Sequence, residues 1–226
     1  MLVKTFGAAV HGINATIVTI EVNVSRGIRF FLVGLPDNAV KESQQRIVSA
    51  LQVNNIEFPR YQIVINMAPA DIRKEGSAYD LPLAIGILAA AKTIQSDELE
   101  KYLIMGELSL DGTVQPVKGI LPIAIKAREE GFTGMIVPKQ NAREAAVVNN
   151  LNVYGAENIT EVIDFFNGNK HLELVTVDTR KDFFENVGHF DADFSDVKGQ
   201  ESVKRAIEVA AAGGHNLIKL CTIYTH

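Results

Sequence analysis

Residues 61–91 read YQIVINMAPADIRKEGSAYDLPLAIGILAAA. Tyr61 to Asn66 form a short apolar, β-branched run, which predicts a buried strand. A polar loop follows, from Met67 to Asp80. Leu81 to Ala91 is then almost wholly apolar. It is too short to cross a bilayer, and it predicts a buried helix over 81–92. A strand, a charged loop and an apolar helix form the repeating unit of a layered domain in which helices cover a sheet.

The pattern continues toward the carboxy terminus. Tyr102 to Met105 is a further short strand. GELSLDG (106–112) predicts a strand closed by a turn at Asp111-Gly112, with Thr113 to Val117 returning. Ile120, Ile123, Ala124 and Ala127 lie at helical spacing, with Pro122 tolerated in the first turn and Gly131 ending the helix. A strand at 135–137, a helix at 139–148, a strand at 151–154 and a helix at 157–166 complete the series. This alternation through 60–167 predicts parallel pairing. Toward the amino terminus, NATIVTIEVNV (14–24) alternates as a half-buried strand. It is expected to form a hairpin with IRFFLVG (28–34), which makes the sheet mixed. Asp37 is a suitable N-cap for an amphipathic helix over 38–53, and Asp80 is expected to cap the apolar helix. The fold class is therefore α/β, an α+β layered domain with a mixed sheet, over 1–175. Residues 176–195 lose the periodicity and predict a linker. In 196–226, Val203, Ala206, Ile207, Ala210 and Ala211 mark the first helix of a second domain, ending at Gly213-Gly214.

Composition narrows the class. The 226 residues are 47% apolar and 22% charged, with a formal charge of −5. That is an ordinary globular composition, and the overall balance gives no electrostatic attraction for nucleic acid. The single cysteine, Cys221, excludes an internal disulfide and fits a reducing compartment, so a cytoplasmic location is expected. The start, MLVKTFGAAVHGINA, lacks a signal-peptide layout, and no membrane partner is expected.

Three stretches carry a resemblance. They are TFGAAVHGINATIVTIEVNVSRGIRFFLVGLPDNAVKESQQRIVSAL (5–51), NMAPADIRKEGSAYDLPLAIGILAA (66–90) with GELSLDGTVQPVKGILPIAIKAREEG (106–131), and DFSDVKGQESVKRAIEVAAAGGHNL (193–217). In this order they resemble the ComM/YifB proteins, bacterial relatives of the magnesium-chelatase motor subunit ChlI, over residues 1–218. The resemblance implies a first domain with the fold of the Lon protease proteolytic domain and of the RadA carboxy-terminal domain. It also implies an AAA+ ATPase module opening at DVKGQ. It further implies a hexameric ring that drives DNA branch migration during natural transformation, with ATP and Mg²⁺ as its cofactors and DNA as its partner.

One departure matters. A Walker A loop needs glycines, a lysine and a Ser/Thr in order, so that backbone amides and charge cradle the phosphates. After Gly214 no glycine follows, and the chain reads KLCTIYTH (219–226). The expectation is a truncated or frameshifted product that binds no cofactor itself and is poorly ordered over 196–226. Val197 and Gly199 are the adenine-edge candidates, effective only in a complete module.

The Lon-like resemblance raises a Ser–Lys dyad, in which a lysine activates a serine. The Lon nucleophile lies in a segment like KDGPSAG. The matching stretch, Lys74 to Asp80, sets Ala78 at the nucleophile position and Ser77 at the proline. The dyad lysine position falls on Leu121, three residues after Lys118. Ser77 and Lys118 are thus displaced dyad candidates, and no catalytic residue is expected. Residues 73–77 could bind a phosphate at the apolar helix's start, although polar loops before helices are commonplace. Glu107 is expected to serve the turn. The histidines at 11, 171, 189, 215 and 226 have no metal-ligand spacing.

Arg26, Arg29, Lys41 and Arg46 are candidates for a DNA-facing patch, against a solvated face balanced by Glu21 and Glu42. The expected function is a non-catalytic amino-terminal domain of an AAA+ DNA branch-migration motor. The alternatives are the motor of a metal chelatase or a remodelling chaperone and, less favoured, a Lon-like peptidase.

Overall fold

The computed structural model describes residues 1–95, 97–178 and 194–218. The chain divides into two compact units, Met1–Thr179 and Arg180–His226.

The first unit is built on an eight-stranded mixed sheet. Strands β1 (Leu2–His11) and β2 (Asn14–Ser25) form a long antiparallel hairpin, paired from Leu2↔Asn23 to His11↔Asn14. Its two-residue turn begins at Gly12, whose φ of 62° suits a tight hairpin loop. The expected hairpin between 14–24 and 28–34 does not form. β3 (Phe30–Val33) instead runs parallel to β4 (Gln62–Ala68), and β4 lies between β2 and β3. The reason is visible in β1: Gly7, Ala8 and Ala9 hide its strand character, yet its ten residues give β2 a longer partner than β3 offers.

The remaining strands are β5 (Tyr102–Ile104), β6 (Glu107–Leu108), β7 (Val114–Gln115), β8 (Gly134–Pro138), β9 (Asn152–Ala156) and β10 (Leu174–Val175). The sheet order is β10-β9-β8-β5-β1-β2-β4-β3, and β6 and β7 form a separate ladder around Asp111-Gly112. Parallel pairing holds for β5, β8 and β9, as the alternation predicts, and extends to the unpredicted β1, but β4 pairs antiparallel with β2.

The helices are α1 (Asn38–Lys41), α2 (Ser43–Val53), α3 (Asp80–Ala90), α4 (Ile120–Glu129), α5 (Lys139–Ala145) and α6 (Ile159–Phe166). Asp37 caps α1, accepting the Val40 amide at 2.8 Å. The expected single helix over 38–53 breaks at Glu42 into α1 and α2. Every residue of α3 is buried, as its uniform apolarity requires. One core joins α2, α3 and α6 to one sheet face through residues such as Ile47, Ile85, Ile136 and Ile163. A second core joins α4 and α5 to the other face through Ile123, Ala142, Met135 and Val137. Alternate residues of β8 thus serve opposite cores, as expected of a parallel strand covered on both faces.

In the second unit, α7 (Glu201–Gly213) contains no buried residue and ends at Gly214 with φ 63°. Cys221 and residues 219–226 lie outside the described residues, as does most of the expected linker.

Candidate functional site

The loop between β4 and α3 is tied down by an interior lysine. Lys74 is fully buried. Its Nζ donates to the Gly34 carbonyl at 2.9 Å and to the Pro69 carbonyl. Its own carbonyl accepts the Asp37 amide at 3.0 Å. Burial lowers the Lys74 pKa, partly opposed by Asp71. Asp37 also accepts the Gly76 amide at 3.1 Å. Gly34 lets the two loops meet: it has φ 99°, and a Cβ there would lie 2.1 Å from the Met67 carbonyl oxygen. Lys74 lies between Arg73 and Glu75 in a charged loop, so sequence alone suggests a solvated residue.

At the start of α3 the cap is Tyr79, not Asp80. Asp80 points its carboxylate at α2. Arg46 Nε donates to Oδ2 at 2.6 Å and Nη2 to Oδ1 at 2.9 Å. The Leu108 amide donates to Oδ2 at 3.2 Å, and Arg46 Nη2 also reaches the Ala39 carbonyl at 2.8 Å. The Asp80 carboxylate holds the Arg46 pKa above its ordinary value. The first amides of α3, the site of the expected phosphate, are taken by the chain's own carbonyls: the Asp80 N–H donates to the Ser77 carbonyl at 3.1 Å and the Leu81 N–H to that of Gly106 at 3.0 Å. Arg73 is also engaged, pairing with Glu75 at 3.2 Å.

Beside this loop lies a cleft of about 400 Å³, lined by Val10, His11, Ala78, Tyr79, Met105 and Lys118 among others. Tyr79 donates its hydroxyl to the Ala8 carbonyl at 3.1 Å, and burial pushes its pKa well up. Lys118 is exposed. Ser77 does not line the cleft. Its hydroxyl donates to the Glu107 carboxylate on β6. Lys118 thus shares the cleft with Ala78, while the Ser77 hydroxyl is engaged by Glu107 and makes no hydrogen bond to Lys118 among the described residues. Glu107 sits in the turn element as expected, and it also anchors this serine.

Residues 20–141 match the profile described as subunit ChlI of Mg-chelatase, and residues 193–222 match that described as magnesium chelatase, subunit ChlI. The chain belongs to the magnesium-chelatase-like ComM/YifB family. It is 41% identical to competence protein ComM of Haemophilus influenzae over 220 residues, covering 97% of this chain and 43% of that protein. It is 39% identical to YifB of Escherichia coli over 212 residues, covering 93% of this chain and 40% of that protein. The chain thus spans about two fifths of the length of these family members. Lon protease 2 of Bacillus subtilis is 26% identical over 125 residues, 55% of this chain and 22% of that protein. The mixed α/β sheet and this similarity agree on a Lon-like fold for the family's first domain.

The four-residue basic patch does not assemble in this family member. Arg46 is committed to Asp80, with its side chain only 19% exposed. Lys41 ends α1, beyond the far end of β3 from Arg26 and Arg29. At about 3.3 Å per residue the four-residue strand alone separates them by roughly 13 Å. Arg26 and Arg29 remain together on the β2–β3 loop, both exposed.

Val197 is 43% exposed, and Gly199 and Gln200 have left-handed backbone at φ 69° and 59°. Residues 197–200 are all exposed. Among the described residues no helix is long and apolar enough to cross a membrane, and no group of His, Cys, Asp and Glu could hold a metal ion.

Proposed function

We propose that residues 1–178 are a non-catalytic domain serving an ATP-driven DNA branch-migration motor, whose ATPase module opens at residue 196. Carrying this is the occupancy of the cleft. Lys118 faces a wall bearing Ala78, and the neighbouring hydroxyl of Ser77 is spent on Glu107. A Lon-type serine requires a lysine base within hydrogen-bond reach; here the Ser77 hydroxyl meets a carboxylate instead, and Lys118 lines the cleft beside Ala78. A Lon-like scaffold stripped of its nucleophile is suited to holding or positioning a partner of the motor. The similarity to a competence protein supports DNA as the motor's substrate. ATP and Mg²⁺ would act in the full-length protein, as would assembly into a hexameric ring.

The test uses the full-length protein. It is expected to move a synthetic four-way junction in the presence of ATP and Mg²⁺, and a fluorophosphonate probe is expected to leave Ser77 unlabelled. A protein that hydrolyses ATP but binds only partner protein subunits and no branched DNA would instead favour the chelatase or remodelling-chaperone reading. Labelling of Ser77 with peptide cleavage would favour a peptidase.

A further inference from the structure

The sheet end formed by the β2–β3 loop and the start of β4 collects groups that the fold does not use. β2 pairs with β4 at Ser25↔Gln62, and β3 pairs with β4 at Phe30↔Ile63. Continued by one residue, the first register sets Arg26 beside Tyr61. Continued by two, the second sets Ile28 on the other side of Tyr61. The loop keeps this placement: the Ile63 amide donates to the Arg29 carbonyl at 2.8 Å, and Gly27 packs on the Gln62 side chain.

These side chains face water. Ile28 is 89% exposed and Tyr61 46%. Arg26 and Arg29 are exposed and have no ion-pair partner among the described residues. Among the described residues Arg60 pairs with Glu57 at 3.2 Å, in a pair that is itself exposed. Such a pair contributes about 0–1 kcal/mol and releases its arginine readily. Ile28 lies at a loop tip and belongs to neither core.

We propose that this surface, formed by Arg26, Ile28, Arg29, Arg60 and Tyr61, binds single-stranded DNA. The proposal rests on the DNA reading above and gives it a contact site. Single strands alternate phosphates with exposed base faces, whereas a duplex hides those faces inside its stack. Three guanidiniums match the phosphates. The phenol ring of Tyr61 and the side chain of Ile28 match the base faces, because stacking on aromatic side chains tolerates any sequence. The net charge of −5 does not oppose this at close range, since salt screens charges beyond about 10 Å at 0.1 M.

The test is fluorescence anisotropy of a labelled 30-nucleotide oligo-dT with the 226-residue chain, at several salt concentrations. Arg26→Ala with Arg29→Ala is expected to weaken binding and to reduce the salt slope by about 1.4, or 0.7 per lost phosphate contact. Tyr61→Ala is expected to weaken binding roughly tenfold with the slope unchanged, as loss of one stacked base requires. Tyr61→Phe, which keeps the ring, is expected to bind like wild type and guards against a folding artefact. Absent oligo-dT binding, or variants indistinguishable from wild type, would overturn the proposal. So would polyglutamate competing as well as unlabelled oligo-dT, because the surface would then recognise acidic peptide. The same substitutions in the full-length protein separate this proposal from the functional one. Unchanged junction migration with unchanged oligo-dT binding removes the surface and leaves the motor. Absent migration with wild-type oligo-dT binding and the expected losses in the variants removes the motor and keeps the surface.

Discussion

Arg46 and Asp80 stand 34 residues apart in sequence and form a two-pronged ion pair, at 2.6 and 2.9 Å, that fastens α2 to the first turn of α3. The carboxylate is fully buried, and the guanidinium covers it from the side of solvent. Burial raises the Asp80 pKa, against the opposing pull of Arg46, Ser43 and the Leu108 amide. The pair therefore carries a desolvation cost, and its partners matter most when one is removed.

Arg46→Ala is expected to destabilise the domain by about 3–5 kcal/mol, because it strands a buried carboxylate. Arg46→Lys is expected to recover little, since an ammonium cannot reproduce the fork. Arg46→Met with Asp80→Leu is expected to lose less than either single change. Urea unfolding of wild type, these variants and the single changes Arg46→Met and Asp80→Leu gives the ranking, and additive losses in the double variant would contradict the buried-pair account.

Gly34→Ala and Gly12→Ala make a paired comparison. Both glycines have positive φ, but Gly12 has open space around its Cβ direction whereas Gly34 meets Met67 backbone. Gly12→Ala is expected to cost about 1 kcal/mol from conformation alone. Gly34→Ala is expected to cost several times as much, because a backbone carbonyl must move as well. Equal melting temperatures for the two variants would count against the loop junction described here.

Stability is expected to vary with alkaline pH in two opposite ways. Lys74 has a lowered folded pKa, so the unfolded chain binds more protons between that value and 10.5, and stability rises with pH through this window. Tyr79 has a raised folded pKa, so the folded chain keeps its proton above the ordinary 10.0, and stability falls as pH rises further. Urea midpoints measured from about pH 8 to 11 are expected to lose the rise in Lys74→Met and the fall in Tyr79→Phe. Curves unchanged in shape would refute these assignments.

Ser77→Ala is expected to lower stability by about 1.5–3 kcal/mol, the scale of a hydrogen bond to a charged group. It is expected to leave background peptide hydrolysis where it was. A drop in hydrolysis on this substitution would restore Ser77 as a nucleophile.

Strong periodicity made most elements readable. The apolar run of α3, the Asp111-Gly112 turn and the alternation through β8, α5, β9 and α6 each declare themselves locally. β1 escaped because Gly7, Ala8 and Ala9 lack β-branched side chains, and β10 because its two residues are too short to show a period. The basic candidates looked alike as letters. Arg46 differs from Arg26 and Arg29 only in having Asp80 within reach, a partner supplied by a helix far along the chain.

The sequence by itself determined the layered α/β class and the family. Each of these is written in local residue order, in the period of apolar side chains or in a motif. Tertiary structure alone decided which strand β2 pairs with, that Lys74 is buried, that Ser77 turns to Glu107, and that the β2–β3 loop lies against the start of β4. Those outcomes depend on groups distant in the chain competing for the same hydrogen bonds and the same buried space, and a one-dimensional pattern does not record that competition.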